Sequence, residues 1–255
     1  MNQTPRVLIA GETWIMHTIH QKGFDSFTTT EYGEGIGWLK AALEAGGIGV
    51  EHLPNHAAPT QFPTDLETLR SYDVVVLSDI GANSLLLHPD TFVRSRATPN
   101  RLQLLRDYVA GGGGLVMVGG YLSFSGIDGK ARYGGTPVED ALPVTMVQGD
   151  DRVEVPEGSA ANVRDANHPI VAGLPRTWPP VLGYSRVRTR PEAATVAVLG
   201  DDPLLAAWDF HQGRAVAFTS DCSTHWCPPE FLAWDGYTRL WQQIIRWAAR
   251  SESRD

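Results

Sequence analysis

Three short runs restrict the fold more than anything else in this chain: RVLIA (Arg6 to Ala10), DVVVLSD (Asp73 to Asp79) and LVMVGG (Leu115 to Gly120) are apolar at nearly every position. A strand with one wet face alternates apolar and polar residues, whereas a strand without alternation is covered on both faces, as in a parallel sheet between layers of helix. Helical stretches lie between these runs. Gly37 to Ala45 (GWLKAALEA) closes on Gly46 and Gly47, and Asn100 to Ala110 (NRLQLLRDYVA) opens on an Asn N-cap and stops at the glycines 111 to 114. Leu102, Leu105, Tyr108 and Val109 recur at helical spacing and make one apolar face. The pattern predicts βαβ winding.

The second half reads differently. Thr195 to Gly200, Leu204 to Phe210 and Arg214 to Asp221 are strand-like, and the turn HQGR joins the last two. A hairpin here means that antiparallel strands extend a mostly parallel sheet. A closing helix is expected over Phe231 to Arg250, with Tyr237, Leu240, Trp241, Ile244 and Trp247 as its apolar stripe. No repeat or low-complexity linker divides the 255 residues, so a single domain, 1–255, is expected. Between Tyr121 and Pro143 the chain is rich in Gly, Ser and Tyr without periodicity, a candidate functional loop.

With 42% hydrophobic and 20% charged residues the chain can form a sizeable core, and its net charge of −8 argues against nucleic acid or an anionic membrane as partner. No run approaches the roughly 20 apolar residues of a spanning helix, and the start, MNQTPRVLIAGE, has no signal-peptide core. A cytoplasmic protein is expected, with Cys222 and Cys227 as reduced thiols. The expected partner is a small molecule; no cofactor is assigned, and the Trp-rich last helix leaves a homo-oligomer open.

Open parallel sheets bind ligands beyond the carboxyl ends of their strands. Glu12 and Trp14 follow the first run; Ser78, Asp79 and Asn83 the second; Tyr121, Ser123 and Phe124 the third; Asp221, Cys222, His225 and Trp226 follow RAVAFTS. If these strands are parallel neighbours, their ends line one crevice.

The segment GLVMVGGYLSFSG resembles the strand-turn-helix elbow of class I glutamine amidotransferases, G-x-C-x-G, with Tyr121 in the nucleophile slot and Ser123 in place of the last glycine. A wider resemblance rests on GETW (11–14), SDIGAN (78–83), GGYLSFSGIDGKARYGGTPVEDALPV (119–144), NHPIVAGLP (167–175) and TSDCSTHW (219–226). It is to uncharacterised bacterial cytoplasmic proteins of the glutamine amidotransferase-like type, relatives of the trehalose-utilisation ThuA-like group. The resemblance implies a flavodoxin-like three-layer α/β/α fold and a pocket around the elbow; it fixes no reaction.

Each candidate residue has a functional and a plainer reading. Tyr121 acts as general acid, base or hydrogen-bond donor, with Arg132 approaching to favour the phenolate, or is an elbow residue kept for packing. Ser123 and Ser125 are hydroxyls without an assigned His-Asp pair. His225 stands where the resemblance places a catalytic histidine, with Glu230 five residues on, or it packs at a helix start. Cys222, His225 and Cys227 form a C-x2-H-x-C cluster of zinc-ligand types, or a relocated nucleophile and its base, or ordinary buried cysteines; no metal is assigned. Trp14 and Trp226 follow strands and can stack on a flat ligand. The expected site is Tyr121, Ser123 and His225 as catalytic groups, with Glu12, Trp14, Asp79, Asn83, Phe124, Arg132, Tyr133, Asp221 and Trp226 binding ligand. The reading is a hydrolase- or transferase-like protein without an elbow cysteine; a non-catalytic binding protein and a carbohydrate-processing protein are the alternatives.

Overall fold

The three apolar runs lie side by side in a nine-stranded sheet. In this computed structural model residues 4–251 are described, so the first three residues of the start MNQTPRVLIAGE lie outside them. The strands are β1 (Arg6–Gly11), β2 (Thr13–Lys22), β3 (Asp25–Glu34), β4 (Gly49–Leu53), β5 (Val74–Ser78), β6 (Gly114–Val118), β7 (Val144–Met146), β8 (Arg152–Val163), β9 (Thr177–Ser185), β10 (Val187–Thr189), β11 (Ala194–Leu199), β12 (Asp202–Phe210) and β13 (Gly213–Phe218). The large sheet runs β4-β1-β5-β6-β13-β12-β11-β8-β9. Its first five strands are parallel neighbours, in the doubly wound order of flavodoxin-like sheets. The expected hairpin is β12–β13, and β11, β8 and β9 continue the antiparallel side.

Alternate residues of the apolar strands feed two cores, which is why no polar position interrupts them. Val7, Ile9, Val74 and Val76 pack with Leu39, Leu43, Trp241 and Ile244 from the helices Gly37–Ala45 and Asp235–Ala248. Leu8, Val75 and Leu77 pack with Leu102, Leu105 and Tyr108 of the helix Arg101–Ala110. The Asn100 carboxamide oxygen caps that helix, accepting from the backbone N–H groups of Leu102 (3.0 Å) and Gln103 (3.2 Å).

The closing helix departs from the expected single rod. It is split into Pro229–Leu232 and Asp235–Ala248, because Trp234 takes extended backbone and sends its indole against Trp178 and Phe231. A second unexpected element is a long ribbon: β2 and β3 pair only with each other, outside the main sheet. No helix among the described residues is long and apolar enough to cross a membrane.

Candidate active site at the strand ends

The carboxyl ends of β1, β5, β6 and β13 bring their polar residues together, as parallel neighbours in register must. Glu12 and Asp79, each one residue past its strand, both lie in the left-handed region (φ 54° and 45°), as does His225 (φ 128°). Left-handed backbone is costly for side-chain-bearing residues and clusters where surrounding structure enforces it, often at functional sites. Glu12 is buried; its Oε1 accepts from the Ser78 hydroxyl (2.7 Å) and its Oε2 from that of Ser223 (3.3 Å). Gly35 closes over this carboxyl, and a Cβ there would collide with it. Burial, with Asp221 and Asp79 nearby, pushes the Glu12 carboxyl well above the usual carboxylate range, which favours its protonated form. Burial likewise lifts Asp79 to about 6, although its Oδ1 accepts from the Leu122 N–H (2.6 Å).

Opposite them stands His225. Asp221 fixes one oxygen with the backbone N–H groups of Cys222 (2.7 Å) and Ser223 (3.1 Å), and turns the other toward His225 Nδ1 at 3.5 Å. Asp221 thus takes the orienting place considered for Glu230, which is exposed on the helix Pro229–Leu232. The Tyr121 ring meets His225 edge-on at 4.3 Å, and its hydroxyl reaches Glu154 at 3.4 Å. Arg152 lies over the Tyr121 ring, 5.0 Å from its centre.

Both thiols are sealed in. Cys227 donates to the Asp221 carbonyl (2.8 Å), and burial raises both cysteine pKa values, with Glu12 and Asp221 adding to the effect. The donor atoms that do converge are those of Glu12, Asp221 and Cys222, all within 4.8 Å of one another; His225 and Cys227 are not among them. Burial, which favours the protonated forms of Glu12 and Cys222, opposes metal binding by these three.

Comparison with known proteins agrees with this architecture. Residues 6–250 match the family described as "Putative glutamine amidotransferase". The chain belongs to that family. It is similar to the cytoplasmic protein STM3548 of Salmonella typhimurium (44% identity, TM-score 0.92, covering 95% of this chain and 98% of that one). The cytoplasmic protein STM1381 of Salmonella typhimurium LT2 is equally similar (44%, TM-score 0.92, 95% and 99%). A ThuA-like protein of Parabacteroides merdae shares the fold at 17% identity (TM-score 0.57, 99% and 92%). Among curated proteins none matches.

Within this family fold, several expected site residues stand elsewhere. The turn after β6 is sharp, with Gly120 at φ 131°, but no α-helix follows it; Ile127–Gly129 is one short 3-10 turn. Phe124 and Tyr133 are fully buried core residues, and the Tyr133 hydroxyl donates to the Ile80 carbonyl (2.7 Å), so neither offers a free face to a ligand. Ser123 is buried, its hydroxyl accepting from the Asp79 N–H (3.1 Å), which makes it a brace rather than an open nucleophile. Trp226 is 1% exposed, stacked on His225 with Nε1 donating to Glu154 (3.0 Å), and offers no free face to a flat ligand.

Arg132 lines a different cleft, of about 560 Å³, with Ser125, Glu139 and Gln148; Arg152 occupies the place beside Tyr121 foreseen for it. Trp14 is 36% exposed and lines a cleft of about 350 Å³ with Tyr32, Asn55, His56 and Leu122, next to the elbow. Asn83 is exposed in the helix Ala82–Leu86. Sequence reasoning missed Glu154 and Arg152, which come from β8 on the antiparallel side, and Ser223, whose place in TSDCSTHW was the one available signal.

Proposed function

We propose that the strand-end group around His225 is a small-molecule acid–base centre of hydrolase- or transferase-like type, working in the cytoplasm and without a thiol nucleophile. The supporting observation is His225 held between Asp221 and Tyr121. With an Asp221 oxygen facing Nδ1, the favoured tautomer carries its proton there and leaves Nε2 free to take one from a water or a substrate hydroxyl. Tyr121, standing where related amidotransferases carry cysteine, is a poor acyl nucleophile and serves as wall and hydrogen-bond donor. Asp79, lifted to about 6, adds a group able to exchange a proton near neutrality. Cys222 and Cys227 are both buried and held as thiols, which disfavours a thioester route.

A thermal-shift series with L-glutamine, simple primary amides and monosaccharides tests this reading. A compound that stabilises the wild type should fail to stabilise His225→Ala and Tyr121→Ala, yet still stabilise Cys222→Ala, and its turnover should vanish in His225→Ala. Binding without turnover by wild type would favour a non-catalytic metabolite-binding protein. Ammonia release from glutamine that Cys222→Ala abolishes would restore the thiol route.

A further inference from the structure

The ribbon of β2 and β3 touches the rest of the chain at its base, where Thr13 bonds Asn55 and Tyr32 meets the His56 ring, and its outer part is exposed. Its register places Ile15 opposite Tyr32, His17 opposite Thr30 and Ile19 opposite Thr28 on one face; Met16 opposite Glu31, Thr18 opposite Thr29 and His20 opposite Phe27 share the other. Both faces are open: Ile19 is 73% exposed, Phe27 51% and Tyr32 49%, while Phe24 at the tip is fully exposed. An isolated two-stranded hairpin is at best marginally stable in water. Both edges are also unpaired. Each strand has ten residues without proline and pairs without a bulge, although natural proteins shield exposed edges by such devices.

We propose that the ribbon is a dimerisation arm, and that its occupant is the ribbon of a second copy of this chain. Three observations favour a second copy. On one face Ile15, Ile19 and Tyr32, with Phe24 at the tip, together expose roughly 600 Å², the upper size of the largest apolar patch on a typical monomer and most of one partner's share of a standard interface. The charges favour an antiparallel self-pairing, which keeps the basal glutamates of two ribbons apart, over a parallel one. Glu31 and Glu34 lie in the basal half, while His20 and Lys22 lie in the distal half, where Asp25 faces Lys22. Two ribbons set antiparallel about a two-fold axis place each distal half against the other's acidic base, the self-complementary contact that such symmetry requires.

The same arrangement carries each tip to the other's base, where Ile15, Thr30, Glu31, Tyr32 and His56 line a cleft of about 470 Å³, room enough for Phe24. Four strands then pair where two alone would be marginal.

Light scattering on the eluting protein and sedimentation velocity test the proposal. Wild type should show twice the 27.8 kDa chain mass, or an even multiple of it, at about 100 μM, where an interface of that Kd or tighter is populated. The double variant Ile19→Lys/Phe24→Lys should fall to the single-chain mass with an unchanged circular dichroism spectrum. Phe24→Ser alone, at the loop tip and outside either strand, keeps the test sound if the double variant misfolds, and should weaken the association at least tenfold. Backbone amides of β2 and β3 should exchange slowly in wild type and rapidly in the monomeric variant. A single-chain mass for wild type, a doubled mass retained by both variants, or assembly only with another protein would overturn it.

Discussion

The ring of Tyr121 meets the imidazole of His225 edge-on, with centroids 4.3 Å apart and planes at 85°. The contact uses the aromatic ring, and the hydroxyl makes only a long approach to Glu154. Tyr121→Phe is therefore expected to change stability by less than about 1 kcal/mol, whereas Tyr121→Ala, which uncovers His225 and the edge of Trp226, should cost about 1–3 kcal/mol. Urea titrations of the two variants check this. Equal losses would mean that the hydroxyl, rather than the ring, holds the residue in place.

The buried carboxyls set a pH dependence. Glu12 and Asp79 both have folded-state pKa values above their unfolded ones, Asp79 reaching about 6. Folding therefore favours the protonated forms: the stability they contribute is full below about pH 4, and for Asp79 it is lost as pH rises through about 6. For Asp79 the loss is about 2 kcal/mol, since part of the group still meets solvent. Asp150, held low first of all by its bonds with Arg152, acts in the opposite sense and loses its contribution on strong acidification. Unfolding free energy should decline between about pH 4.5 and pH 7, and Asp79→Asn or Glu12→Gln should flatten that decline and gain stability near pH 8. A wild-type profile that stays level across this range would contradict the burial of these groups.

Both thiols should be silent to labelling. Cys222 and Cys227 are 0% and 1% exposed, with pKa values raised by burial, so an aromatic disulfide reagent should titrate no thiol in the native protein and two after denaturation. Cys227→Ala removes the bond to the Asp221 carbonyl and leaves a small void, at a cost of about 1–2 kcal/mol. Rapid modification of the native protein would show that the loop after β13 opens.

Glu154 joins the two sides of the sheet. Its carboxylate accepts from Trp226 Nε1 at 3.0 Å and stands 3.4 Å from the Tyr121 hydroxyl. Glu154→Ala leaves a buried indole N–H unpaired, which should cost about 1–3 kcal/mol, while Glu154→Gln keeps an acceptor and should cost less. Stability measured by denaturant and the tryptophan emission maximum distinguish the two, and identical behaviour would remove Glu154 from the scaffold of the cleft.

The legible parts of this molecule are those where local pattern and final burial agree. β1, β5 and β6 are uniformly apolar because helices cover both faces, and once they are neighbours the convergence of Glu12, Asp79, Tyr121 and Asp221 follows from topology. β8 and β9 hide because their patterns are broken: β8 contains Pro156 and Gly158, β9 contains Pro179 and Pro180, and the register between them shifts at Glu154/Ser159 to absorb the irregularity. Glu154 and Arg152 were hidden with them. The β2–β3 ribbon shows no alternation because neither face meets the core, and the break at Trp234 comes from indole packing that helical periodicity does not register. Phe124, Tyr133 and Trp226 follow the right strands, but following a strand does not decide whether a ring turns inward.

β13 lies between β6 and β12, the one strand bonded to both the parallel and the antiparallel side. During synthesis its slot beside β6 stays open until the ribosome has passed Phe218, so β6 is left as a bare apolar edge while most of the chain is already made. A nascent or truncated chain ending before β13 should accordingly be a client of chaperones and a target for aggregation, and the grouping of polar side chains at the strand ends should be among the last features of the molecule to exist.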